Sequence, residues 1–488
     1  MLCLIIIAIF LIYYVFKFYQ KVAALPPGPF PLPLIGNLYQ MEPKSPHLSL
    51  NKWAQKHGPV YSAWIPDPVV VIADYKHLKE ALVKNGDAYA GRPRLFLMDL
   101  HSQGNYGIIL SQGAKWKSQR RLCLRILRDF GLGRRLMQEK ICAETETLVK
   151  TLEDVSADGV QNVDLAPHLR LCIGNILHSL LFGHSFSDDP QKYFQFARLL
   201  EDNFRVMSTV PALMLNQFPW LRHLPIFENF TYKTLRTNLD TIFEQYKEEI
   251  ANHKSARMNE NEEPLDFLSA YLNARNREHG ESEFFSDWQT VVVVADFWMA
   301  GMETTTTTLL WAFLFLITHP DVQAKLYAEI KTVLGRRPPE MADREKLPYA
   351  CATITEVQRR ANIVSVGVVH MTTQDTVLND HKIPAGTTVI PQLHAVHADS
   401  GLFPDPDKFL PERFLDSTSQ EMVVPFSLGK RQCMGEGLAR MQLFLIIVRL
   451  VQNFQFSVCP DSPSPSTDAI FGATLIPHPY HCRIQRRS

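Results

Sequence analysis

The sequence predicts a mostly α-helical fold with small β-sheets, behind an apolar N-terminal segment. Helical patterns of apolar residues dominate from Tyr75 to Leu334 and are interrupted by turn residues. From Val364 onward the pattern changes to short β-like segments. The clearest of these are 367–373, 387–390 and 469–476. A long apolar helix is predicted between them, over roughly 436–451.

Composition limits the functional classes. The chain has 488 residues, of which 50 are basic and 50 acidic, so its balanced charge does not indicate nucleic-acid binding. Its eight cysteines are scattered without a C-x-x-C motif, which fits a reducing compartment better than a disulfide scaffold. The sequence has no phosphate-binding loop and no dinucleotide fingerprint, so we expect it to hold no nucleotide cofactor by those motifs.

The N-terminus predicts a membrane anchor. Leu2–Phe16 is unbroken apolar sequence, slightly shorter than the roughly 20 residues of a spanning helix. Lys17 and Lys21 follow it and no basic residue precedes it, so the positive-inside rule places the rest of the chain in the cytosol. We therefore expect residues 1–20 to form an uncleaved transmembrane signal anchor. A cleaved signal peptide is the alternative, because residues 22–24 resemble a cleavage site.

A proline-rich segment follows the anchor. Five prolines between Pro26 and Pro33 favour a stiff, extended backbone without helix. From composition alone, the proline-rich segment 21–38 is a generic linker or a ligand for proline-binding domains. A cytosolic body further predicts that the glycosylation sequon at Asn229 stays unmodified.

Two elements of the body are predicted in more detail. The segment 61–73, broken at Pro66 and Pro68, predicts two short strands in a hairpin. Ser286–Gln289 has the pattern of a capping box, and the helix that it opens should run to about Thr318, before a His-Pro pair. That helix would have about 32 residues and a length of about 48 Å.

The middle of this helix is unusual. Residues 300–305 combine a glycine with a run of threonines, which are poor helix formers. A threonine hydroxyl can bond the carbonyl four residues earlier and distort the helix. A second membrane span is the alternative for this apolar helix, although Asp296 and Glu303 would be unfavourable in lipid.

Cys433 lies in a ten-residue F-x-x-G-x-R-x-C-x-G motif that starts at Phe426. Gly429 and Gly435 permit sharp turns and close backbone approach. Arg431 can form a charge-assisted hydrogen bond to a carboxylate. A cysteine that is merely buried in the core is the alternative.

This motif resembles the cysteine loop of the cytochrome P-450 superfamily of haem–thiolate monooxygenases. The resemblance implies that Cys433 is the axial thiolate ligand of the haem iron, whose electron donation favours O–O cleavage. A helix N-terminus after the cysteine would keep the sulfur ionised. Phe426, Gly429 and Gly435 would then surround the sulfur and the porphyrin, and Arg431 would bond a haem propionate.

The central part of the long helix resembles the A-G-x-[DE]-T signature of the same superfamily. The resemblance implies that Ala300 and Gly301 border the haem where dioxygen binds. It assigns Thr304 to the orientation of a proton-delivery network and Glu303 to the supply or relay of protons.

Further residues resemble structural and propionate-binding positions of the superfamily. Glu356-x-x-Arg359 is by itself a weak pattern that usually marks a solvated pair. Its position before a P-E-R-F segment implies a buried triad with Arg413, which would hold the segment that precedes the thiolate loop. Trp116 and Arg120 resemble a W-x-x-x-R pair that reaches a propionate. His370 resembles another propionate contact.

The motifs occur in the superfamily's order along the whole chain, and the chain resembles the animal microsomal type of family two. Support comes from the proline-rich segment 21–38, which resembles the hinge of microsomal relatives, from 130–135 and from 383–387. The resemblance implies a haem–thiolate catalytic domain over 39–488 with the cytochrome P-450 fold. Ser365, Gly104 and Met371 depart from frequent family residues, which leaves the pocket shape and the propionate set open.

The expected function is haem-dependent monooxygenation of a lipophilic small molecule, such as a xenobiotic, a fatty acid or a steroid-like compound. The resemblance implies haem b (iron protoporphyrin IX), and electrons from NADPH through NADPH–cytochrome P-450 reductase, with a cytochrome b-type protein as an optional donor. It also implies an endoplasmic reticulum membrane protein with one N-terminal anchor and a cytosolic catalytic domain. The implied pocket residues are Ile108, Phe204, Phe297, Ala300, Val366, Val369 and Phe471.

Partner docking and two rival functions complete the expectations. A basic cluster suits an acidic redox partner, although an ordinary solvated helix face is an equal alternative. Its members are Lys115, Lys117, Arg120, Arg121, Arg125 and Lys430.

Two rival functions are a haem–thiolate enzyme that rearranges peroxides without a reductase, and a non-catalytic anchored haem carrier. Glu303 and Thr304 argue against the first rival, and the groove at Gly301 and Thr304, which a carrier does not need, argues against the second.

Overall fold

The computed structural model describes residues 1–129, 135–157, 162–186, 190–207, 209–256, 264–279, 282–416, 419–459 and 463–487. Residues 130–134, part of the family-two resemblance, lie outside the described residues. Within the described ranges the fold is mostly helical, with four small sheets. This confirms the predicted fold class.

The α-helices are α1 (Leu2–Ala23), α2 (Pro46–His57), α3 (Tyr75–Lys79), α4 (Phe96–Ser102), α5 (Gly113–Asp129), α6 (Arg135–Ala157), α7 (Ala166–Phe182), α8 (Pro190–Met207), α9 (Val210–Gln217), α10 (Pro225–Phe227), α11 (Lys233–Ala256), α12 (Phe267–Ala274), α13 (Asp287–Thr318), α14 (Pro320–Leu334), α15 (Pro348–Ala361), α16 (Leu393–His397) and α17 (Glu436–Asn453). Short 3₁₀ turns include Pro411–Phe414 and Gly429–Arg431.

The strands are β1 (Val60–Trp64), β2 (Pro68–Ile72), β3 (His370–Met371), β4 (Thr376–Leu378), β5 (His381–Ile383), β6 (Thr388–Pro391), β7 (Phe454–Ser457), β8 (Ala469–Ile470), β9 (Ile476–Pro477) and β10 (Arg483–Arg486). The largest sheet has the order β1-β2-β6-β3, with β2 parallel to β6 and the other pairs antiparallel. The predicted hairpin is confirmed as β1 and β2, in which Val60 pairs with Ile72.

The chain divides into two compact units. The first unit comprises 1–93, 364–406 and 422–433, and the second comprises 94–363, 407–421 and 434–488.

The first unit is built on the four-stranded sheet. The buried face of β1, β2 and β6 packs with α3 and α16 around Val70, Ile72, Val389 and Val396, each at most 1% exposed. Helix α1 is exposed along its length except for its last turns, where the Phe18 ring packs on Trp64 at 4.6 Å between centroids. By length and composition α1 could cross a membrane, and the proline-rich segment after it is non-helical, as predicted.

The second unit is built around α13. Most of this helix is buried, and Trp298 is only 1% exposed. The Trp311 indole donates to the Leu475 carbonyl at 2.9 Å, and the Tyr480 hydroxyl donates to the Leu310 carbonyl at 2.8 Å. The helix is therefore an internal element of this unit, and the alternative of a second membrane span is wrong.

The N-terminus of α13 differs from the prediction in one detail. The Ser286 side chain caps the helix by accepting from the Gln289 N–H, as predicted. The Gln289 side chain does not complete the capping box, because it bonds both the N–H and the carbonyl of Gly107 at 3.1 Å. The Gln289 side chain is buried, so its amide needs hydrogen-bond partners inside the protein. The Gly107 backbone supplies both of them, and the local capping bond is not made.

Candidate active site

The motif residues of the first unit form a tight loop that ends at Cys433. Gly429 has φ +73° and opens the 3₁₀ turn, and a Cβ on it would lie 1.7 Å from the Leu82 carbonyl oxygen. Only glycine fits there. The Cys433 N–H donates to the Phe426 carbonyl at 3.0 Å, which closes the loop.

The Cys433 side chain is exposed, whereas Cys123, Cys172, Cys459 and Cys482 are buried. Burial raises the pKa of the Cys172 thiol, and the same desolvation raises that of Cys123, so these two sulfurs are held as neutral thiols. The alternative that Cys433 is only a core cysteine is therefore wrong. In chain order α17 begins three residues later, with Gly435 as its N-cap residue.

Three buried nitrogen-bearing side chains gather in the same unit. Arg431 Nε donates to the Ala90 carbonyl at 2.9 Å, and Arg92 Nη1 donates to the Val369 carbonyl at 2.6 Å. His370 Nδ1 lies 2.8 Å from the Tyr89 carbonyl. Arg431, Arg92 and His370 are all less than 9% exposed.

This cluster has a strongly positive field. Burial first, and then the Arg92 and Arg431 charges, lower the pKa of His370 to about 3 in total, against the opposing effect of the hydrogen bond to the Tyr89 carbonyl. The imidazole is therefore neutral near pH 7, with its proton on Nδ1. Two buried guanidinium groups beside a neutral imidazole suit an anionic carboxylate, so these residues fit the propionates of a haem.

Trp116 and Arg120 lie one turn apart on α5 in the second unit. Trp116 is 3% exposed, and the Arg120 guanidinium carbon lies 6.0 Å from the centre of its ring. Their neighbour Lys115 does not belong to a solvated basic face, because it is 5% exposed and its ammonium lies 4.1 Å from the Tyr106 ring centre. The cation–π contact replaces part of its lost hydration.

One face of α13 is exposed near the middle of the helix, and we call this exposed stretch the opening. Ala300 is exposed and Phe297, Gly301 and Thr304 are partly exposed, although most of the helix is buried. The Thr304 hydroxyl donates to the Ala300 carbonyl at 2.7 Å, which is the back-bond predicted from the threonine run. The opening thus presents a hydroxyl and a carbonyl on an otherwise apolar helix.

Glu303 lies beside this opening with different partners. Its carboxylate accepts from the Thr307 hydroxyl at 3.2 Å. Burial raises the pKa of Glu303, the Arg170 charge opposes that shift, and the Glu201 charge adds to it. A carboxyl with a raised pKa exchanges protons nearer neutral pH, which suits a relay.

Gly301 has a packing role that the sequence did not show. A Cβ on Gly301 would lie 2.9 Å from Leu177 Cδ2 on α7. The missing side chain lets α7 approach α13 closely. A direct role of Gly301 in cofactor binding stays a prediction.

The second unit brings Glu356, Arg359 and Arg413 together. Arg359 Nε and Nη2 donate to the two Glu356 carboxylate oxygens at 2.7 and 2.8 Å, and Arg413 Nε donates to Oε1 at 3.2 Å. The Leu410 N–H donates to the same oxygen at 2.9 Å. Glu356 is 0% exposed, so this is a buried charge network and not a solvated pair.

The apolar pocket residues fall in both units. Val366 and Val369 pack on the sheet core of the first unit. In the second unit Ile108 is buried, the Phe297 ring packs on Phe267 at 4.6 Å, and Phe204 and Phe471 are partly exposed.

The sequence did not reveal the roles of two residues, Asp296 and Arg92. Asp296 accepts from the Ile108 N–H at 2.6 Å and the Ile109 N–H at 3.0 Å, and so positions a predicted pocket residue. An acidic residue in an apolar helix was a usable signal, because such a charge needs an internal partner. Arg92 carried no comparable signal, since its partners lie 276 and 277 residues later.

Known proteins resemble the chain over nearly its whole length. The family model described as "Cytochrome P450" matches residues 26–483. "Probable cytochrome P450 CYP36A1" of Caenorhabditis elegans is 35% identical over 496 residues, covering 99% of both chains. "Cytochrome P450 2D20" of Mesocricetus auratus is 36% identical, covering 96% of this chain and 94% of its own. "Cytochrome P450 2U1" of Homo sapiens is 32% identical, covering 96% and 90%.

Proposed function

Because the chain belongs to the cytochrome P450 family and is a haem monooxygenase of that family, we propose that it oxygenates a lipophilic small molecule with electrons from NADPH. The substrate would be a xenobiotic, a fatty acid or a steroid-like compound. The apolar character of Ile108, Phe297, Val366 and Val369 supports a lipophilic substrate.

The family implies a haem cofactor, which we propose is haem b bound through the Cys433 thiolate. When bound, the haem supplies the iron at which dioxygen is bound and reduced. The exposed Cys433 sulfur supports the ligation. Arg431, His370 and Arg92 would bond the propionates, since their field favours anions.

The observation that carries the proposal is the open face of α13. Thr304 offers a hydroxyl that is held by the Ala300 carbonyl, and Glu303 offers a carboxyl with a raised pKa. Thr304 would hold a proton at its Oγ1, and Glu303 would return protons through its carboxylate oxygens. A haem carrier or a peroxide-rearranging enzyme has no need of such a pair.

We propose NADPH–cytochrome P450 reductase as the electron donor, with a cytochrome b-type protein as an optional second donor. The basic side chains Lys117, Arg121 and Arg125 are exposed on α5, which suits an acidic protein surface.

We further propose that α1 anchors the protein in the endoplasmic reticulum membrane with its body in the cytosol. Lys17 and Lys21 at the end of α1 support this orientation. The Asn229 sequon tests it, because Asn229 is exposed and would accept a glycan in the lumen. Carbonate-washed membranes should retain an unglycosylated protein. A glycan on Asn229 that disappears in Asn229→Gln would reverse the orientation.

Turnover tests the function directly. The purified protein in lipid, with reductase and NADPH, should incorporate one atom of labelled dioxygen into a lipophilic substrate. Product formed from a peroxide without reductase, and none with it, would identify the peroxide-rearranging alternative. Haem binding without product in either assay would identify a carrier.

A further inference from the structure

Three potential metal ligands meet away from the residues considered above. They are His178 in the last turns of α7, His184 just after that helix, and Glu249 on α11. One ligand atom from each lies within 4.8 Å of the other two. All three residues belong to the second unit.

The distances suit a tetrahedral ion. Zinc bonds of about 2.0–2.1 Å place neighbouring ligand atoms roughly 3.3 Å apart. His184 Nε2 and Glu249 Oε2 are 3.3 Å apart. The His178 ligand atom lies within 4.8 Å of the other two, so the more exposed His184 and Glu249 side chains would have to move closer to it on binding.

The three ligands differ in exposure in a way that suits a partly preformed site. His178 is 3% exposed and packs on the rings of Phe182 and Phe186, at 4.7 and 3.9 Å between centroids. The side chains of His184 and Glu249 are 54% and 20% exposed. One ligand is therefore fixed, and two can close on an ion that arrives from solvent.

The electrostatic surroundings favour a cation. Helix α7 ends at Phe182, and its carbonyl end carries the negative pole of the helix dipole. The Asp266 carboxylate lies 3.3 Å from the Cβ position of Gly183, between the two histidines in sequence, and part of its charge is offset by His253 at 3.6 Å and by the Ser269 N–H. Lys140 opposes this field, but its ammonium donates to the Ser179 carbonyl at 2.8 Å.

We propose that His178, His184 and Glu249 bind one zinc ion, with water as the fourth ligand. Two imidazoles and one carboxylate are a donor set that zinc uses with an open position. The ion would link α7 to α11, two helices that both pack on α13. Zinc would thus act as a removable cross-link that stabilises this part of the second unit.

The test uses the full-length, haem-loaded protein and zinc alone as the ligand. Zinc is titrated against a chromophoric chelator, and zinc-edge X-ray absorption gives the ligands without interference from haem iron. We expect one tight zinc per chain with two imidazoles, and an unfolding temperature that rises with zinc.

Two variants separate the site from weak binding by other histidines, since the chain has 17 histidines including His178 and His184. His184→Ala and Glu249→Gln change partly exposed ligands and spare the buried His178. Each should weaken tight zinc binding on the order of 100-fold or more, since even outer partners of a metal site change affinity 10–100-fold. His223→Ala, an exposed histidine outside the cluster, should bind zinc like the wild type.

Less than one tight zinc per wild-type chain would overturn the proposal, and so would equal affinity in the wild type and His184→Ala. Either result would leave His184 and Glu249 as an ordinary surface ion pair. An unchanged haem spectrum in each variant shows that the fold is intact. The outcome is independent of turnover, so it does not depend on the proposed monooxygenase function.

Discussion

The Asp296 carboxylate on α13 accepts a 2.6 Å hydrogen bond from the backbone N–H of Ile108, 188 residues earlier in the chain. Its other oxygen lies 3.0 Å from His101 Nε2. A single buried carboxylate thus holds the loop that carries Ile108, and the charge is 3% exposed. The shape of this part of the predicted pocket therefore depends on an electrostatic contact and not on apolar packing alone.

Asp296→Ala should loosen this loop. It removes the acceptor of two backbone N–H groups and the partner of His101, so we expect a loss of about 3 kcal/mol in the free energy of unfolding. The KM for a lipophilic substrate should rise while the haem spectrum persists. Asp240→Ala is the control, because Asp240 pairs with Arg236 on the surface of α11 and should change stability by less than about 1 kcal/mol. Equal stabilities would show that the Asp296 bonds contribute nothing net.

Cys433→Ala should remove the thiolate ligand. The reduced carbon monoxide complex of the wild type should show the red-shifted absorption band of thiolate-ligated haem. The variant should lose both this band and turnover, because alanine offers the iron no sulfur. Cys351→Ala, at a partly buried cysteine on α15, should keep the band. A normal band in Cys433→Ala would end the assignment.

Glu356→Gln should destabilise the fold far more than a matched change at the surface. The carboxylate is fully buried under Arg359, Arg413 and the Leu410 N–H, and breaking a buried ion pair typically costs about 3–5 kcal/mol. Glu412→Gln removes the exposed pair with Lys325, for which about 0–1 kcal/mol is expected. Denaturant unfolding with haem content as a second readout compares the two. Similar losses would contradict a special role for Glu356.

Thr304→Ala should separate NADPH consumption from product formation. The variant should bind haem and keep the thiolate band, but release more hydrogen peroxide per product, because the hydroxyl to which we assign proton delivery is lost. Such groups typically contribute about 10²–10⁴-fold. Thr318→Ala is a matched control, since Thr318 makes the same back-bond, to Leu314 at 2.9 Å, near the end of α13. An unchanged ratio of product to NADPH in Thr304→Ala would remove Thr304 from the mechanism.

Glu303 should make stability depend on pH. Burial raises its pKa in the folded protein, so the folded state binds a proton that the unfolded state releases between the usual carboxyl pKa and the raised value. The contribution of Glu303 to stability is therefore largest at low pH and declines as pH rises through this window. Glu303→Gln should remove that decline. Unfolding free energies of wild type and variant at several pH values between 4 and 8 test this, and parallel curves would contradict it.

The local elements of this fold could be predicted, because their signals lie within a few residues. The bounds of α13 follow from Ser286 at one end and the His-Pro pair after Thr318 at the other. The pairing of β7 with β10 could not, since 25 residues separate the two short strands and the proline- and serine-rich segment between them does not indicate which strand pairs with which. Strand pairing at that distance depends on the packed core and not on local pattern.

The candidate site likewise combines residues with a local sequence signal and residues placed by long-range contacts. The residues of the Cys433 loop carry a spaced motif, so they could be named from sequence together with Gly429 and its turn. Arg92, which joins His370 and Arg431, carries no motif. Lys115 was misjudged because a lysine on a helix is usually solvated, whereas here it covers the Tyr106 ring. In each case a contact between distant segments decided the outcome.

The Leu177 side chain on α7 fills the space that a side chain at position 301 on α13 would need. Residues that divide a fixed space are constrained as a pair, so the permitted size at one position is set by the other. Protein engineers who enlarge position 301 to reshape the opening beside Thr304 will need a shorter side chain at 177 in the same step. A library that varies both positions together will therefore reach active variants that two successive single-site screens would discard.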